Sequence, residues 1–363
     1  MKIGIDARMY GPKVTGIGNY VKYLPEQLAK IDKTDEFFVF LLPEQYEKIT
    51  LPPNFKKIKA DVPWYSWAEQ LKYPKLLRQH NLDMMHFTNF NVPIFYRRKF
   101  IVTIHDITPW FFPGPNVRKS LIRKLGYNLT FKLGIKKAWK ILVPSEHTKK
   151  QLIGHFKIPK DKIKVIYLGA THFSKVQNND KIVKKYGILK PYLFYVGVWR
   201  DHKNLDTLVE AFNKIKAQHD VQLILAGQED KAYPETRQAI EQSSYKSDIL
   251  TPGFVPGSDL AALYSSAEIY VLPSFNEGFG LGALEATNYG TPVIASSTTS
   301  VPEILGDSAL YFDPQSAEEL AEAANKLLSD KKLSAKIVAK SQAKIKRYDW
   351  QTTADKTLQI YHG

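Results

Sequence analysis

Apolar positions along this chain fall into short uninterrupted runs, separated by longer stretches in which they recur at helical spacing. KIGIDA (2–7) reads as a strand, and YVKYLPEQLAKI (20–31) follows a loop with apolar residues at helical intervals. FFVFLL (37–42), MMHF (84–87), FIVTIH (100–105), KILVPS (140–145) and KVIYLG (164–169) are short apolar runs. Runs of this kind fit strands buried on both faces of a parallel sheet. The polar stretch THFSKVQNNDKIVKKYGILK (171–190) breaks the pattern and predicts a linker. A second alternation follows. YLFYVG (192–197) precedes a helix over LDTLVEAFNKIKA (205–217). QLILAG (222–227), SDILTPG (247–253), EIYVLPS (268–274), PVIAS (292–296) and ALYFDP (309–314) continue it, and 315–360 reads as mostly helical.

Strands alternating with helices imply parallel sheets joined by right-handed crossovers. Two such sets around a polar linker predict an α/β protein with two doubly wound, Rossmann-like domains. Ligands in these folds bind beyond the carboxyl ends of the strands, so a site in a cleft between two facing domains is expected.

Composition narrows the class. Of 363 residues, 44% are hydrophobic and 12% aromatic, enough to build packed cores. There is no cysteine, which excludes disulfides, thiolate metal ligands and a cysteine nucleophile, and favours a reducing compartment. The opening MKIGIDARMYG has one charge and then a short apolar stretch broken by Asp6, too short and too polar for a secretion leader. No run approaches a membrane span. The expected location is cytoplasmic, peripheral on the inner face of the plasma membrane. The net charge of +15 is uneven: residues 1–170 hold 30 Lys/Arg against 13 Asp/Glu, while 171–363 hold 21 against 23. A field of that kind attracts polyanions, anionic lipid or phosphorylated substrates.

Chemistry concentrates in NEGFGLGALEATNYGTPVIASSTTSVPEI (276–304). Pro273-Ser274 ends a strand, Phe275 to Gly280 forms the loop at its carboxyl end, and Leu281 to Tyr289 forms the next helix, stopped by Gly290-Thr291-Pro292. Glu277 is then a loop residue, and Glu285 lies more than one turn into the helix. Gly278 and Gly280 leave backbone N–H groups open at a helix start, which favours a phosphate or other oxygen-rich ligand. A carboxylate beside them can accept hydrogen bonds from sugar or ribose hydroxyls. The alternative on spacing alone is that Glu277 caps the helix and Glu285 faces solvent.

NEGFGLGALEA, GTPVIAS and SVPEILGDSALYFDP resemble the carboxyl-domain signature of the retaining glycosyltransferases of family four, which have the two-domain GT-B fold. MKIGIDARMY...TGIGNYVKYL, VTIHDITPWFFP, VPSEHTKKQL, YVGVWRDHKNLDTLVEAF and YDWQTTADKTLQIY resemble the family's other blocks, in order, and are most similar to its mannosyltransferase-B-like subgroup. The resemblance implies an acceptor-side domain over 1–172, a nucleotide-sugar domain over 173–345, and a last helix, 346–363, crossing back to the first domain. It implies that Glu285 binds the ribose hydroxyls of a nucleotide-sugar donor. Glu277, with the backbone of Gly278, Phe279 and Gly280, would hold the sugar. Lys203 in RDHKN would contact the donor diphosphate and offset charge on the leaving nucleotide. Gly16 and Gly18 match a loop that approaches the donor, and His105 matches a histidine near the reacting centre. The implied reaction moves a hexosyl group, with GDP-mannose favoured, to a glycan or lipid-linked acceptor in cell-surface polysaccharide synthesis. No cofactor is implied beyond the donor.

The sequence departs from the family in places. Val198 and His202 stand where an arginine is common, so Arg200 is the candidate for the missing charge. Gly282 stands where proline is common. No two aspartates are separated by one residue, and no histidine–cysteine cluster exists, so a metal-independent enzyme with no metal site is expected.

The segment 117–140, VRKSLIRKLGYNLTFKLGIKKAWK, has eight Lys/Arg and no acid, interleaved with Leu121, Ile122, Leu125, Tyr127, Phe131 and Trp139. That composition suits a helix lying on an anionic membrane, with Arg123, Lys124, Lys136 and Lys137 leading and PWYSW (63–67) adding aromatic anchors. The alternative is a helix packed on the sheet with solvated lysines. Nucleic-acid binding by the basic half is the competing function, disfavoured by acids at the expected site and by the lack of a nucleic-acid module. A nucleotide-sugar epimerase, a phosphorylase or a UDP-sugar-dependent transferase on the same fold are the enzyme alternatives.

Overall fold

The computed structural model describes residues 1–11, 15–115, 120–170 and 178–363. They divide into two compact units, Met1–Gly169 with Asp349–Gly363, and Ala170–Tyr348. The expected boundary at 172/173 falls on residues outside those described.

The first unit is built on β1 (Lys2–Asp6), β2 (Glu36–Leu41), β3 (Phe55–Lys59), β4 (Met84–Phe87), β5 (Phe100–Thr103), β6 (Lys140–Val143) and β7 (Ile163–Val165). These pair in the order β3-β2-β1-β4-β5-β6-β7, every pair parallel. The inner strands are the apolar runs: all four residues of β4 and of β5 are buried. β3 was not among the expected strands. Its sequence FKKIK carries three lysines, and it lies at the sheet edge, where lysine blunts pairing with other chains. Lys56 reaches back to Glu36 on β2 at 2.7 Å.

The first helix, Thr15–Ile31, starts five residues before the expected Tyr20 and takes in Gly16 and Gly18. This corrects their placement in a loop. A side chain at Gly18 would put its Cβ 2.0 Å from the carbonyl oxygen of Gly11. The residue is glycine so that the helix can lie against the chain leaving β1.

The last helix, Trp350–His362, belongs to this unit. Trp350 stacks on Tyr23 of the first helix with ring centroids 5.2 Å apart. The Tyr361 hydroxyl lies 2.7 Å from His86 Nδ1, and His86 Nε2 lies 2.8 Å from Thr103 Oγ1, which meets the Tyr20 hydroxyl at 3.0 Å. Burial pushes His86 down to about 3, so its ring is neutral in this network.

The second unit contains β8 (Tyr192–Val196), β9 (Gln222–Ala226), β10 (Ile249–Gly253), β11 (Ile269–Leu272), β12 (Val293–Ser296) and β13 (Leu310–Phe312). They pair in parallel in the order β10-β9-β8-β11-β12-β13. The helix Leu205–Lys216 buries Leu205, Leu208, Val209, Phe212 and Ile215, the stripe its 3.6-residue spacing predicts. The described part of the expected linker is not open coil. Asn179–Lys185 is a helix, capped by the Asn178 side chain. It is held to the helix Gly257–Ser266 by Lys185 and Tyr186, which reach Asp259 at 2.7 and 2.6 Å. Its polar residues face partners rather than a core, so its apolar spacing carries no helical signal. No helix among the described residues is long and apolar enough to cross a membrane.

Candidate functional site

In the second unit, strand order reverses between β8 and β11. Such a reversal opens a crevice outside the carboxyl ends of the two strands. The chain leaving β8 carries Lys203, and the chain leaving β11 carries Glu277. Lys203 Nζ lies 2.7 Å from Glu277 Oε1, and the Ser274 hydroxyl donates to the same oxygen at 2.7 Å. Among the described residues, nothing bonds to Glu277 Oε2. The side chains are 21% and 14% exposed, so a ligand can reach the pair but water screens it only in part.

Polar contacts fix these loops. The Phe275 amide donates to the His202 carbonyl at 2.8 Å. Asn204 is 1% exposed, and its side-chain amide donates to Pro273 and Pro314 carbonyls at 2.9 and 2.7 Å. One residue thus ties together the chains leaving β8, β11 and β13. The Glu277 amide donates to Thr299 Oγ1 at 3.2 Å, and Ser300 Oγ donates to the Glu277 carbonyl at 2.9 Å. Thr299 has φ +59°, a left-handed backbone that a β-branched residue rarely adopts and that costs on the order of 1–3 kcal/mol. The strain positions its hydroxyl against Glu277.

Glu285 sits inside the helix Leu281–Asn288 and is 6% exposed. Its Oε2 accepts from the Tyr264 hydroxyl at 2.8 Å. The solvent-facing alternative is thereby excluded. Gly280 occupies the cap position with φ +87°, and no side chain caps the helix. Glu277 is therefore not a cap, and the first amides of this helix lack intrahelical acceptors. Phe279 is 4% exposed with its ring edge-on to Tyr348, so only its backbone is offered. Gly278 is buried beside it. Arg200 is exposed at the start of the turn Asp201–Lys203. Burial, then the charges of Lys203 and Arg200, hold the adjacent His202 down to about 2.

In the first unit His105 lies two residues beyond β5. Its Nε2 is 3.0 Å from the Thr88 carbonyl. A carbonyl only accepts, so Nε2 carries the hydrogen and Nδ1 is left as an acceptor. Burial lowers this imidazole to about 4, which keeps it neutral near pH 7. The Tyr20 ring meets it edge-on at 4.9 Å. Among the described residues, one group of side chains has metal-ligand spacing: Asp32, Asp35 and His362, in the first unit.

The basic segment forms the helix Leu121–Lys137. Phe131 is 1% exposed, and Tyr127 and Trp139 are partly buried, with Tyr127 stacked on Phe131 and Lys99 over Trp139 at 3.7 Å. The aromatics therefore pack inward, against the expectation that they face a membrane. The exposed apolar side chains are Leu121, Ile122, Leu125 and Leu129, on one helix face, with Lys124, Lys136 and Lys137 exposed. The Arg123 side chain lies outside those described.

Sequence reasoning missed Ser274, Asn204, Thr299, Ser300 and Tyr264. The only advance signal was the run of hydroxyls in SSTTS after β12.

Two parallel α/β units of this topology constitute the GT-B fold, and solved structures agree. Sucrose-phosphate synthase from Thermosynechococcus elongatus superposes with a TM-score of 0.81 at 20% identity, covering 100% of this chain and 98% of that one. WaaG, a glycosyltransferase involved in lipopolysaccharide biosynthesis, gives 0.76 at 16%, covering 99% of both. Anabaena HepE in complex with UDP-glucose gives 0.77 at 17%, covering 100% and 99%. The pattern of the family described as Glycosyl transferases group 1 matches residues 178–344, and that of Glycosyltransferase Family 4 matches 14–171. The chain belongs to this glycosyltransferase family. It is 28% identical to O-antigen chain mannosyltransferase B of Escherichia coli over 376 aligned positions, covering 96% of each chain. It is 27% identical to O-antigen chain mannosyltransferase RfbU of Salmonella typhimurium, covering 69% and 66%.

Proposed function

We propose that this glycosyltransferase is a retaining, metal-independent hexosyltransferase that moves mannose from GDP-mannose to a glycan or lipid-linked acceptor in cell-surface polysaccharide synthesis. The observation that carries the reading is the Lys203–Glu277 pair at the carboxyl ends of β8 and β11, beside the uncapped helix that holds Glu285. The names of the mannosyltransferases it resembles support the sugar. In this reading the Lys203 ammonium, Arg200 and the first helix amides face the diphosphate, and their positive charge stabilises the departing nucleotide. Glu277 Oε2 and the backbone of Gly278, Phe279 and Gly280 hold sugar hydroxyls. Glu285 accepts from the ribose, and His105 Nδ1, in the first unit, accepts from a substrate hydroxyl. HepE, solved with UDP-glucose, supports a second reading in which the donor is a UDP-sugar.

The test is calorimetry with GDP-, UDP- and ADP-sugars, followed by turnover of the tightest donor in EDTA. GDP-mannose should bind tightest and turn over without a divalent ion. A tighter UDP-sugar would move the assignment to the second reading. Activity lost in EDTA and restored by magnesium or manganese would overturn metal independence.

Tyr264→Phe should raise the donor's dissociation constant about fivefold, because one hydrogen bond of about 1 kcal/mol holds Glu285 in place. Turnover at saturating donor should change little, since ribose is bound alike in ground and transition states. Unchanged affinity in calorimetry would remove Tyr264 from donor binding.

The helix Leu121–Lys137 is proposed to rest on anionic membrane through Leu121, Ile122, Leu125 and Leu129, with the lysines engaging headgroups. Replacing Arg123, Lys124, Lys136 and Lys137 with glutamine should release the protein from phosphatidylglycerol vesicles in co-sedimentation. Equal sedimentation of both proteins would leave the helix a solvated surface.

A further inference from the structure

The first unit carries a second concentration of positive charge, at the end of its sheet opposite His105. Arg78 ends the helix Tyr73–Arg78 that precedes β4, and Arg97 and Arg98 lie just before β5 begins at Phe100. With Pro74, Phe95 and Tyr96 they line a cavity of about 330 Å³. A neighbouring cavity of about 400 Å³ is lined by Tyr96, Arg97, Arg98, Phe100 and Lys137. The shared residues make the two one groove, with four cations and no carboxylate in its lining.

Among the described residues, no carboxylate pairs with these charges. Arg78 and Arg97 have no hydrogen-bond or ion-pair partner among the described residues. Arg98 reaches the neutral Asn81 Oδ1 at 3.2 Å, and Lys137 reaches the Ile94 carbonyl at 2.8 Å. Tyr96 is 2% exposed, and its hydroxyl has no partner among the described residues. A guanidinium presents a planar fork of donors that matches two phosphate oxygens at once. Three of them with a lysine form a field that one monovalent carboxylate leaves mostly unbalanced. Phe95, 51% exposed on the same wall, gives the organic part of a ligand an apolar surface.

We propose that this groove binds a phosphate or diphosphate group of an organic ligand, at the amino-terminal ends of β4 and β5. The groove belongs to the first unit, and the Lys203–Glu277 pair to the second. It therefore stands or falls independently of the donor assignment.

The test is calorimetric titration of inorganic pyrophosphate into the full chain at low salt. Three proteins are compared: wild type, Arg97→Gln/Arg98→Gln, and a charge-matched control, Lys326→Gln/Lys336→Gln, in the second unit. The groove variant should lose one class of sites or weaken it about tenfold or more, and the control should not. Thermal unfolding of both variants checks that they fold. A second arm uses phosphatidylcholine vesicles with and without phosphatidic acid. Loss of phosphatidic-acid-dependent binding in the groove variant assigns the phosphate to a lipid headgroup. Loss of pyrophosphate binding alone assigns it to a soluble ligand. Equal weakening in the control, equal binding of sulfate, or identical pyrophosphate and vesicle binding by wild type and groove variant would each overturn the proposal.

Discussion

Lys203→Ala should lower turnover by on the order of 10²–10³-fold, the usual consequence of removing one preorganised group that stabilises charge in the transition state. Stability should hardly change. The Lys203–Glu277 pair is part-exposed, and pairs of that kind contribute at most about 1 kcal/mol, which shifts the melting temperature of a unit this size by only about 2–4 °C. Those two magnitudes make the prediction decisive, because a folding defect and a chemical defect are separated in one variant. The effect should fall on kcat rather than on donor affinity, since in the proposed transfer the charge on the diphosphate grows as the sugar departs. Lys203→Arg keeps the charge but replaces a compact ammonium with a planar fork, so it should restore part of the rate. Glu277→Gln extends the test. It keeps the Ser274 contact and the loop geometry while removing the charge that aligns Lys203, so it too should cut turnover more than nucleotide binding. Wild-type kcat in a folded Lys203→Ala protein, measured with saturating donor, would take the ammonium out of the mechanism.

The residues that were legible in the sequence share a physical cause. Strands such as MMHF at β4 and LILA within β9 are buried on both faces, so their composition alone marks them. The loop of Glu277 and the helix of Glu285 were also legible, because glycines and a strand end bracket them. What stayed hidden depends on contacts between distant residues. β3 hides because an edge strand keeps its lysines. The start of the first helix hides because two glycines resemble a loop until Gly11 is seen to pack against Gly18. No periodicity or spacing links Lys203 to Glu277, 74 positions away; only the family resemblance sets both at one donor. Asn204 and Thr299 are single polar residues with no periodicity, placed by left-handed backbone at φ +56° and +59°. The departure at Gly282 now has a reason. A Cβ there would sit 2.3 Å from the Tyr270 hydroxyl, so the proline common in relatives is incompatible with this tyrosine. The basic helix shows the converse case: its composition was legible, but which of its residues face outward was decided by Phe90 and Phe156, which pack against Phe131.

Arg8→Ala should destabilise the first unit by about 3–5 kcal/mol, the cost of breaking a buried ion pair and stranding its partners. Arg8 follows β1 and is 1% exposed. Its Nε and Nη2 donate to the two oxygens of Asp6 at 2.8 and 2.7 Å, and Nη2 also reaches Glu69 Oε1 at 2.7 Å. Nη1 donates to the Val62 carbonyl at 3.1 Å, and the guanidinium lies 3.8 Å over the Tyr73 ring. One side chain therefore joins the end of β1 to the chain at Val62 and to the helix Trp67–Leu71. Without it, Asp6 and Glu69 are two buried carboxylates, and Asn91 and the Tyr65 amide, which donate to Glu69 at 2.6 and 2.9 Å, offset only part of that charge. The deficit should also depend on pH in a defined direction. Burial already raises the Glu69 carboxyl, and Arg8 opposes that rise. Removing Arg8 raises it further, so the folded variant binds a proton that the unfolded chain releases. Stability then increases as pH falls, because the native state holds more protons. The gap between variant and wild type should narrow from pH 8 to pH 5. Arg8→Lys retains a charge but not the fork, and should fall between the two. Urea unfolding of the three proteins at both pH values, followed by tryptophan fluorescence, measures this. A loss below about 1 kcal/mol, or a gap that does not narrow in acid, would mean that Asp6 and Glu69 do not depend on Arg8 for their charge balance.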